Sequence, residues 1–311
     1  MAVGGQDRSN PFRRTTGAAR PSHPRHPGPA GDHVITVLRA GPLTTVQDLG
    51  RPGWAHLGVP RSGALDMPAL RLANRFVGNP DDAAGLETTL LGCTLRFASA
   101  ALVAVTGAVA DVDVNGRPVE RLRGYQLFEV PAGGIVDVKR ATRGVRSYLA
   151  VAGGITVEPV LGSRSTDTLS GLGPDRLTDG AVLPVGTVTG APIVGEPARV
   201  TGELVLGLRL GPRDDWFDRT GLFGTPYEIS PLSNRIGTRL AGTALTRAKA
   251  GELPSEGVVL GAVQVPADGQ PIIFLADHPT TGGYPVIGVV GDVTPLAQAR
   301  PGTTVRFREL D

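Results

Sequence analysis

Cysteine is almost absent from this 311-residue chain: Cys93 stands alone. An intrachain disulfide is therefore impossible and a cysteine-built metal site is excluded. The usage fits a reducing, cytoplasmic setting. Lysine is nearly as scarce, Lys139 and Lys249 standing against 29 arginines. A phosphate-binding P-loop needs Gly directly before its Lys. Here Val138 and Ala248 hold those places, so any nucleotide is held another way or by a partner. No run of about 18 apolar residues occurs, which excludes a helix across a membrane. Long helical periodicities are missing too, which argues against a doubly wound parallel sheet.

Charge of one sign is not concentrated in the body of the chain. The formal net charge is +2, but residues 1–32 hold five arginines against two aspartates. The remainder carries 26 basic and 27 acidic residues, and no nucleic-acid surface is expected from that balance. Residues 1–32 lack the apolar segment of a secretory signal, and their Pro, Gly, Arg and Ser content predicts disorder. Catalytic signatures are also missing. There is no H-E-x-x-H, no G-x-S-x-G and no G-x-G-x-x-G between a strand and a helix. No metal site is expected.

What is abundant is glycine, at 44, and proline, at 27, which favours many short elements joined by turns. Val34 to Leu38 reads as a strand. "DMPALRLANRFVGNP" predicts a helix over 67–77, capped by Asp66, with Pro68 in the first turn and Gly78 past the last. Ala69, Leu72, Ala73 and Phe76 then share one stripe. "TLRFASAALVAVTG" (94–107) alternates as a strand, and Asn115-Gly116 signals a tight hairpin. Residues 133–154 read as two strands with a turn near Arg143-Gly144, and 161–174 have no periodicity. Residues 187–202 look like a linker before a second strand-rich unit. The chain is thus mainly β with a few short helices, in two units of 33–195 and 196–311.

Two loops stand out. "GRPGWAHLGVPRSGALD" (50–66) crowds glycine and proline around Arg51, His56 and Ser62. "ADHPTTGGYP" (276–285) follows an apolar strand with Asp277, His278, Thr280, Thr281, Gly282, Gly283 and Tyr284. A loop histidine can act as general acid or base, although each is equally a surface or cap residue. Successive glycines let backbone N–H groups converge on an anion, and an ionised Asp277 could accept N–H bonds from a small amide. The bland alternative is a tight turn with an Asx cap. Asn234 and Arg235 precede Gly237, and Gln264 lies near a strand end.

"TTVQDLGRPGWAHLGVPRSGALDMPALRLANRFVGN", "YLAVAGGI", "LGSRSTDT", "SNRIGTRL", "SEGVVLGAVQVPADGQPI" and "ADHPTTGGYPVIGVV" resemble the family of the C-type subunit of 5-oxoprolinase. The family is also called allophanate hydrolase subunit 2 and is related to the carboxyltransferase domain of urea carboxylase. The resemblance covers about residues 34–308. It implies two tandem cyclophilin-like β-barrel subdomains and a hydrolase that opens 5-oxoproline to glutamate with ATP. It also implies a B-type 5-oxoprolinase chain as partner and a third lactam-utilisation subunit, with ATP held by the complex. Two other readings stay open: a carboxyltransferase using carboxybiotin from another protein, and a non-catalytic antagonist of a kinase inhibitor. Biotin is not attached to this chain, because a carrier lysine sits between two methionines and neither lysine here lies near Met1 or Met67.

On this resemblance the catalytic residues are expected to be Asp277, His56 and Tyr284. Substrate contacts are expected from Arg51, Ser62, Asp66, Asn74, Arg235, Gln264, Thr280, Thr281, Gly282 and Gly283. The loops of both units are expected to meet in one cleft that grips a compact amide or lactam. Pro279 departs from the pattern, which mostly has Gln before the Thr pair. Proline has no N–H to offer, which leaves the substrate open to differ.

Overall fold

The alternation read from residues 34 onward becomes two β structures that follow one another along the chain. They are seen in a computed structural model that describes residues 33–122, 124–193, 195, 203–251 and 253–310. The disorder expected for residues 1–32 lies outside the described residues, and the expected boundary at 195/196 falls beside others that do. The first structure comprises β1 (Val34–Arg39), β2 (Thr44–Gln47), β3 (Gly85–Thr89), β4 (Thr94–Phe97), β5 (Ala101–Val114), β6 (Arg117–Pro118), β7 (Gln126–Val130), β8 (Ile135–Val151) and β9 (Val182–Pro184). They form one nine-stranded sheet, in which β5 and β8 pair along most of their length. The second comprises β10 (Leu204–Leu210), β11 (Tyr227–Ile229), β12 (Gly237–Ala241), β13 (Glu256–Gly257), β14 (Ala262–Gln264), β15 (Ile272–Phe274), β16 (Thr281–Gly282), β17 (Val286–Val290) and β18 (Thr304–Glu309). Seven of these close a barrel in the order β10-β17-β14-β15-β12-β11-β18, and β13 and β16 form a separate ribbon.

The two barrel-like subdomains expected are present: the second is the closed barrel, and the first is a sheet curled into a half-barrel. Its edge strand β2 is covered by irregular chain, with Thr166 N–H donating to Val46 O and Leu177 N–H to Thr44 O, both at 2.9 Å. Such coverage quenches an open edge as closure would. One expectation needs correction: the turn near Arg143-Gly144 is absent, and β8 runs unbroken for 17 residues. Gly144 sits at φ +76° beside shifts in register against β5, so the glycine serves a bulge that bends the strand.

The hairpin at Asn115-Gly116 forms as read. Both residues have positive φ, at +51° and +75°, and Val114 pairs with Arg117. The helix α1 (Met67–Phe76) also forms, with Asp66 accepting from Ala69 N–H at 3.0 Å. It covers the outer face of β5 and β8, which is why β5 is buried on both faces from Val103 to Thr106. Val103 and Val105 face the sheet's own core, while Ala104 and Ala150 meet Ala73, Phe76 and Val77. Small residues there let the helix approach, and Phe76 stacks on Tyr125 at 4.0 Å.

The two β structures are interleaved, and Asp32–Asp311 form one compact unit. Leu65, just before α1, packs in the core of the second barrel with Trp216, Ile273 and Phe307. In return Arg300 donates to the Gly144 and Ala141 carbonyls of β8, at 2.8 and 2.6 Å. Among the described residues no helix is long and apolar enough to cross a membrane. Ala104→Leu should force α1 off the sheet and lower stability by about 1–3 kcal/mol. Urea denaturation measures this, and an unchanged midpoint counts against the packing account.

Candidate functional site at the junction of the two sheets

The opening loop is a lobe pinched at its base. A Cβ on Gly50 would lie 2.6 Å from the Arg61 and Ser62 carbonyls, and one on Gly63 2.8 Å from Gly50 N. Only glycine permits that approach, and both glycines have positive φ. Arg51 N–H donates to Arg61 O at 2.7 Å, and Ala64 N–H to Asp48 O at 2.9 Å. The lobe is then tied to its surroundings. Ser62, in the left-handed region at φ +57°, donates its N–H to Ala276 O at 2.9 Å and its hydroxyl to Thr166 O at 3.0 Å. Asp48 accepts from Gly50 N–H, the Ser163 and Ser165 hydroxyls and Arg164 N–H.

At the base of the lobe lies a buried cluster of charge. Arg235 donates through Nε and Nη2 to the two oxygens of Asp277, each at 2.9 Å, through Nη2 to Gly63 O at 2.7 Å, and through Nη1 to Glu87. Asp277 also accepts from the Thr168 N–H at 2.9 Å and hydroxyl at 2.6 Å. Glu87 accepts from Leu65 N–H at 3.0 Å and Tyr148 O–H at 2.8 Å, with Arg146 Nε at 3.6 Å. Gln298, from the second unit, donates to Asp66 at 2.9 Å and accepts from Val145 and Arg146 N–H. Arg235, Asp277 and Glu87 are each no more than 1% exposed.

Burial works against the Arg235 charge, but Glu87 and Asp277 outweigh it and hold its pKa above the ordinary value. Burial lowers the pKa of Arg146 despite Glu87. It raises that of Asp66 despite the bonds from Gln298 and Ala69. His278, at 6% exposure, packs on Phe274 with ring centroids 5.9 Å apart. Burial lowers its pKa against the opposing pull of the Pro279 carbonyl and Asp277.

The structure thus brings Arg51, Ser62, Asp66, Arg235 and Asp277 into one junction. It places the other expected residues elsewhere. His56 stands on an exposed turn at the lobe's tip, its Nδ1 3.1 Å from Gly53 O. Tyr284 is half exposed, and Gln264 Nε2 donates to its carbonyl at 3.0 Å. Thr280 borders Gly58 of the lobe. Asn74 lies about 12 Å along α1 from the Asp66 cap, pinned to Ala83 O and Asn79. It does not reach the cluster as expected, because helix geometry points it at the chain beyond the helix. The Gly282 and Gly283 amides do not form the expected anion nest. Neither glycine has positive φ, and Thr281–Gly282 is a strand paired with Glu256–Gly257. The free Asp277 carboxylate expected for an amide is taken up by Arg235 and Thr168.

Glu87, Arg146, Tyr148, Thr168 and Gln298 are not among the residues that the sequence singles out. Glu87 carries one signal, a lone carboxylate in an otherwise apolar and threonine strand. Gln298 carries none, since its partners lie more than 150 residues away.

The fold and site define a two-part β protein whose loops from both parts meet at one buried polar junction. The chain belongs to the carboxyltransferase domain family, subdomains A and B, whose profile matches residues 57–309. It is 41% identical over 286 residues to the C-type subunit of 5-oxoprolinase from Escherichia coli, covering 88% of this chain and 90% of that one. To the C-type subunit of 5-oxoprolinase from Haemophilus influenzae it is 34% identical, over 89% and 91%. The solved Kluyveromyces lactis urea carboxylase superposes with a TM-score of 0.81 at 30% identity, over 89% of this chain and 27% of that one. Another solved chain, at a TM-score of 0.78 and 34% identity, is spanned over 56% of its length.

Removing the Arg235 fork leaves the buried Asp277 without a cation and Glu87 with Arg146 alone, at 3.6 Å. Arg235→Ala should cost about 3–5 kcal/mol, with partial recovery in Arg235→Lys, whose single ammonium cannot span both acids. A loss under about 1 kcal/mol in chemical denaturation contradicts this reading. The depressed His278 pKa means that the unfolded chain takes up this proton at higher pH than the folded one. Its contribution to stability is full above the ordinary histidine value and is lost as pH falls through that value toward the folded pKa. His278→Phe should therefore flatten the stability profile between about pH 7 and 5, and a slope equal to the parent's refutes the assignment.

Proposed function

We propose that this chain is the C-type subunit of an ATP-dependent 5-oxoprolinase, a hydrolase complex that opens 5-oxoproline to glutamate. The observation that carries the reading is the 41% identity to the Escherichia coli subunit of that name, held over nine-tenths of its length. Its proposed partners are a B-type chain and a third lactam-utilisation subunit. The ATP is proposed to be held by the complex, in keeping with the absence of P-loop spacing from this sequence.

The reaction breaks the C–N bond of a resonance-stabilised amide. The carbonyl needs donors to polarise it, and the ring N–H needs an acceptor. In this proposal Arg51 supplies the buried cation. Asp277 is a positioning residue: it fixes Arg235 and Thr168 and so shapes the wall of the site. His56 and Tyr284, both exposed, face a substrate or a partner from outside. Leu57, 61% exposed at the lobe tip, and Tyr284 are proposed to be covered by the B-type chain.

The likeness to Kluyveromyces lactis urea carboxylase favours a second reading, a carboxyltransferase fed with carboxybiotin by another protein. The purified complex is expected to hydrolyse ATP only when 5-oxoproline is present, with release of glutamate. Carboxylation of urea by carboxybiotin, without 5-oxoproline-dependent ATP turnover, would decide for the second reading instead.

A further inference from the structure

Three aspartates surround Arg51, and they are not equivalent. Asp48 is saturated by four donors. Asp277 is saturated by Arg235 and Thr168. Asp167 is different. Its Oδ1 accepts from Leu169 N–H at 2.8 Å and Ser170 N–H at 3.0 Å, while its Oδ2 is buried without any partner.

Arg51 is the complement. Its Nε donates to Val160 O at 3.3 Å and its Nη2 to Ser165 O, while its Nη1 is buried without a partner. The two residues are neighbours. Ser165 is two residues from Asp167. Asp167 N–H donates to Leu172 O at 2.9 Å, and a Cβ on the adjoining Gly173 would fall 3.0 Å from Arg51 Nη2. Asp167 is also the carboxylate acting most strongly on the Arg51 charge. Yet they form no ion pair with each other, the only ion pairs of the described core being those of Arg146 and Arg235. The Thr166 hydroxyl, in the same turn, is unpartnered as well.

Arg51 is 2% exposed and Asp167 1%. Leaving a charged donor and a charged acceptor buried and unmatched is expensive. A group that is acceptor on one side and donor on the other matches both. An ordinary trans peptide shows its C=O and N–H on opposite sides. A lactam or a urea shows both on one edge.

We infer that Arg51 Nη1 and Asp167 Oδ2 together bind the cis-amide edge of a small lactam or ureide, the carbonyl accepting from Arg51 and the N–H donating to Asp167. The inference rests on the proposed function only in its choice of ligand class, and it assigns recognition to this chain without ATP or a partner. Sites built to bond a ligand N–H reject the analogue that lacks it.

The test titrates the full chain with 2-pyrrolidinone, urea and 5-oxoproline, followed by saturation-transfer NMR and calorimetry. The parent chain should bind 2-pyrrolidinone and urea but not N-methyl-2-pyrrolidinone. Asp167→Asn keeps Oδ1 for its turn and puts an NH2 donor where Oδ2 accepts, so affinity should fall about tenfold or more with an unchanged melting temperature. If that variant melts early, the N-methyl comparison on the parent chain carries the test. No binding of any of the three amides, equal binding of the N-methyl lactam, or full affinity in a folded Asp167→Asn overturns the inference and leaves the pair a buried-water site. Amide binding by the chain beside a complex inert toward 5-oxoproline and ATP would refute the proposed function alone.

Discussion

The guanidinium of Arg235 is gripped from both halves of the molecule: by Glu87 on β3, by Asp277 after β15, and by the Gly63 carbonyl of the loop that runs between them. Taking these charges out of water is costly. An apolar junction of the same volume would hold the halves together about as well. What the cluster adds is directionality, because a fork with fixed donor angles meets its acceptors in one arrangement only. The loops that carry Arg51, Ser62 and Thr168 therefore inherit their positions from an interaction in which Arg51 takes no part. Gln298 repeats the device a short way off, bonding Asp66 at the start of α1 and the backbone of β8.

How much of this is legible in the sequence depends on the range of the interaction. Asp66, Pro68 and Gly78 mark α1 because capping acts within one turn, and Asn115-Gly116 marks a hairpin because its constraint is two residues long. Gly144 misleads for the converse reason. A positive-φ glycine inside an apolar strand looks like a turn, and only the pairing of β5 with β8 shows it to be a bulge. The two anomalous loops are visible as crowded glycine and proline, and Arg51 and Asp277 within them do share the junction. Their chemistry is not visible. Whether a loop aspartate is free or saturated depends on donors such as Arg235, 42 residues away in sequence from Asp277. Asn74 shows the limit in the other direction, a polar residue on a helix whose partners, Ala83 and Asn79, are local and structural.

The likeness to both 5-oxoprolinase chains and a urea carboxylase has a chemical counterpart in the substrates those names print. 5-Oxoproline and urea are unlike in size and charge, but each offers a carbonyl and an N–H on a common edge. The junction proposed here to read this edge would need no change to serve either compound. The lobe with His56 and Leu57 and the rim at Tyr284 are exposed, whereas any change at Glu87, Arg235 or Asp277 would disturb the docking of the two halves.

Saturation separates the two kinds of buried polar group in this molecule. Asp48, Glu87, Asp277 and Gln298 have their hydrogen-bonding capacity met by named protein donors and acceptors, so substituting any one of them strands its partners. That is the signature of architecture. Arg51 and Asp167 keep one unmet atom each, as do Gln47, Arg146 and Thr166 nearby, but only in Arg51 and Asp167 are the unmet atoms those of a cation and an anion on adjoining loops. Their burial cannot be explained by packing, since an apolar side chain would fill the same space at lower cost. Asp167 attracts the Arg51 charge more than any other carboxylate does, yet the two make no direct ion pair that would satisfy the unmet atoms. A third group that accepts from one and donates to the other would meet both, and the proposed amide edge is such a group.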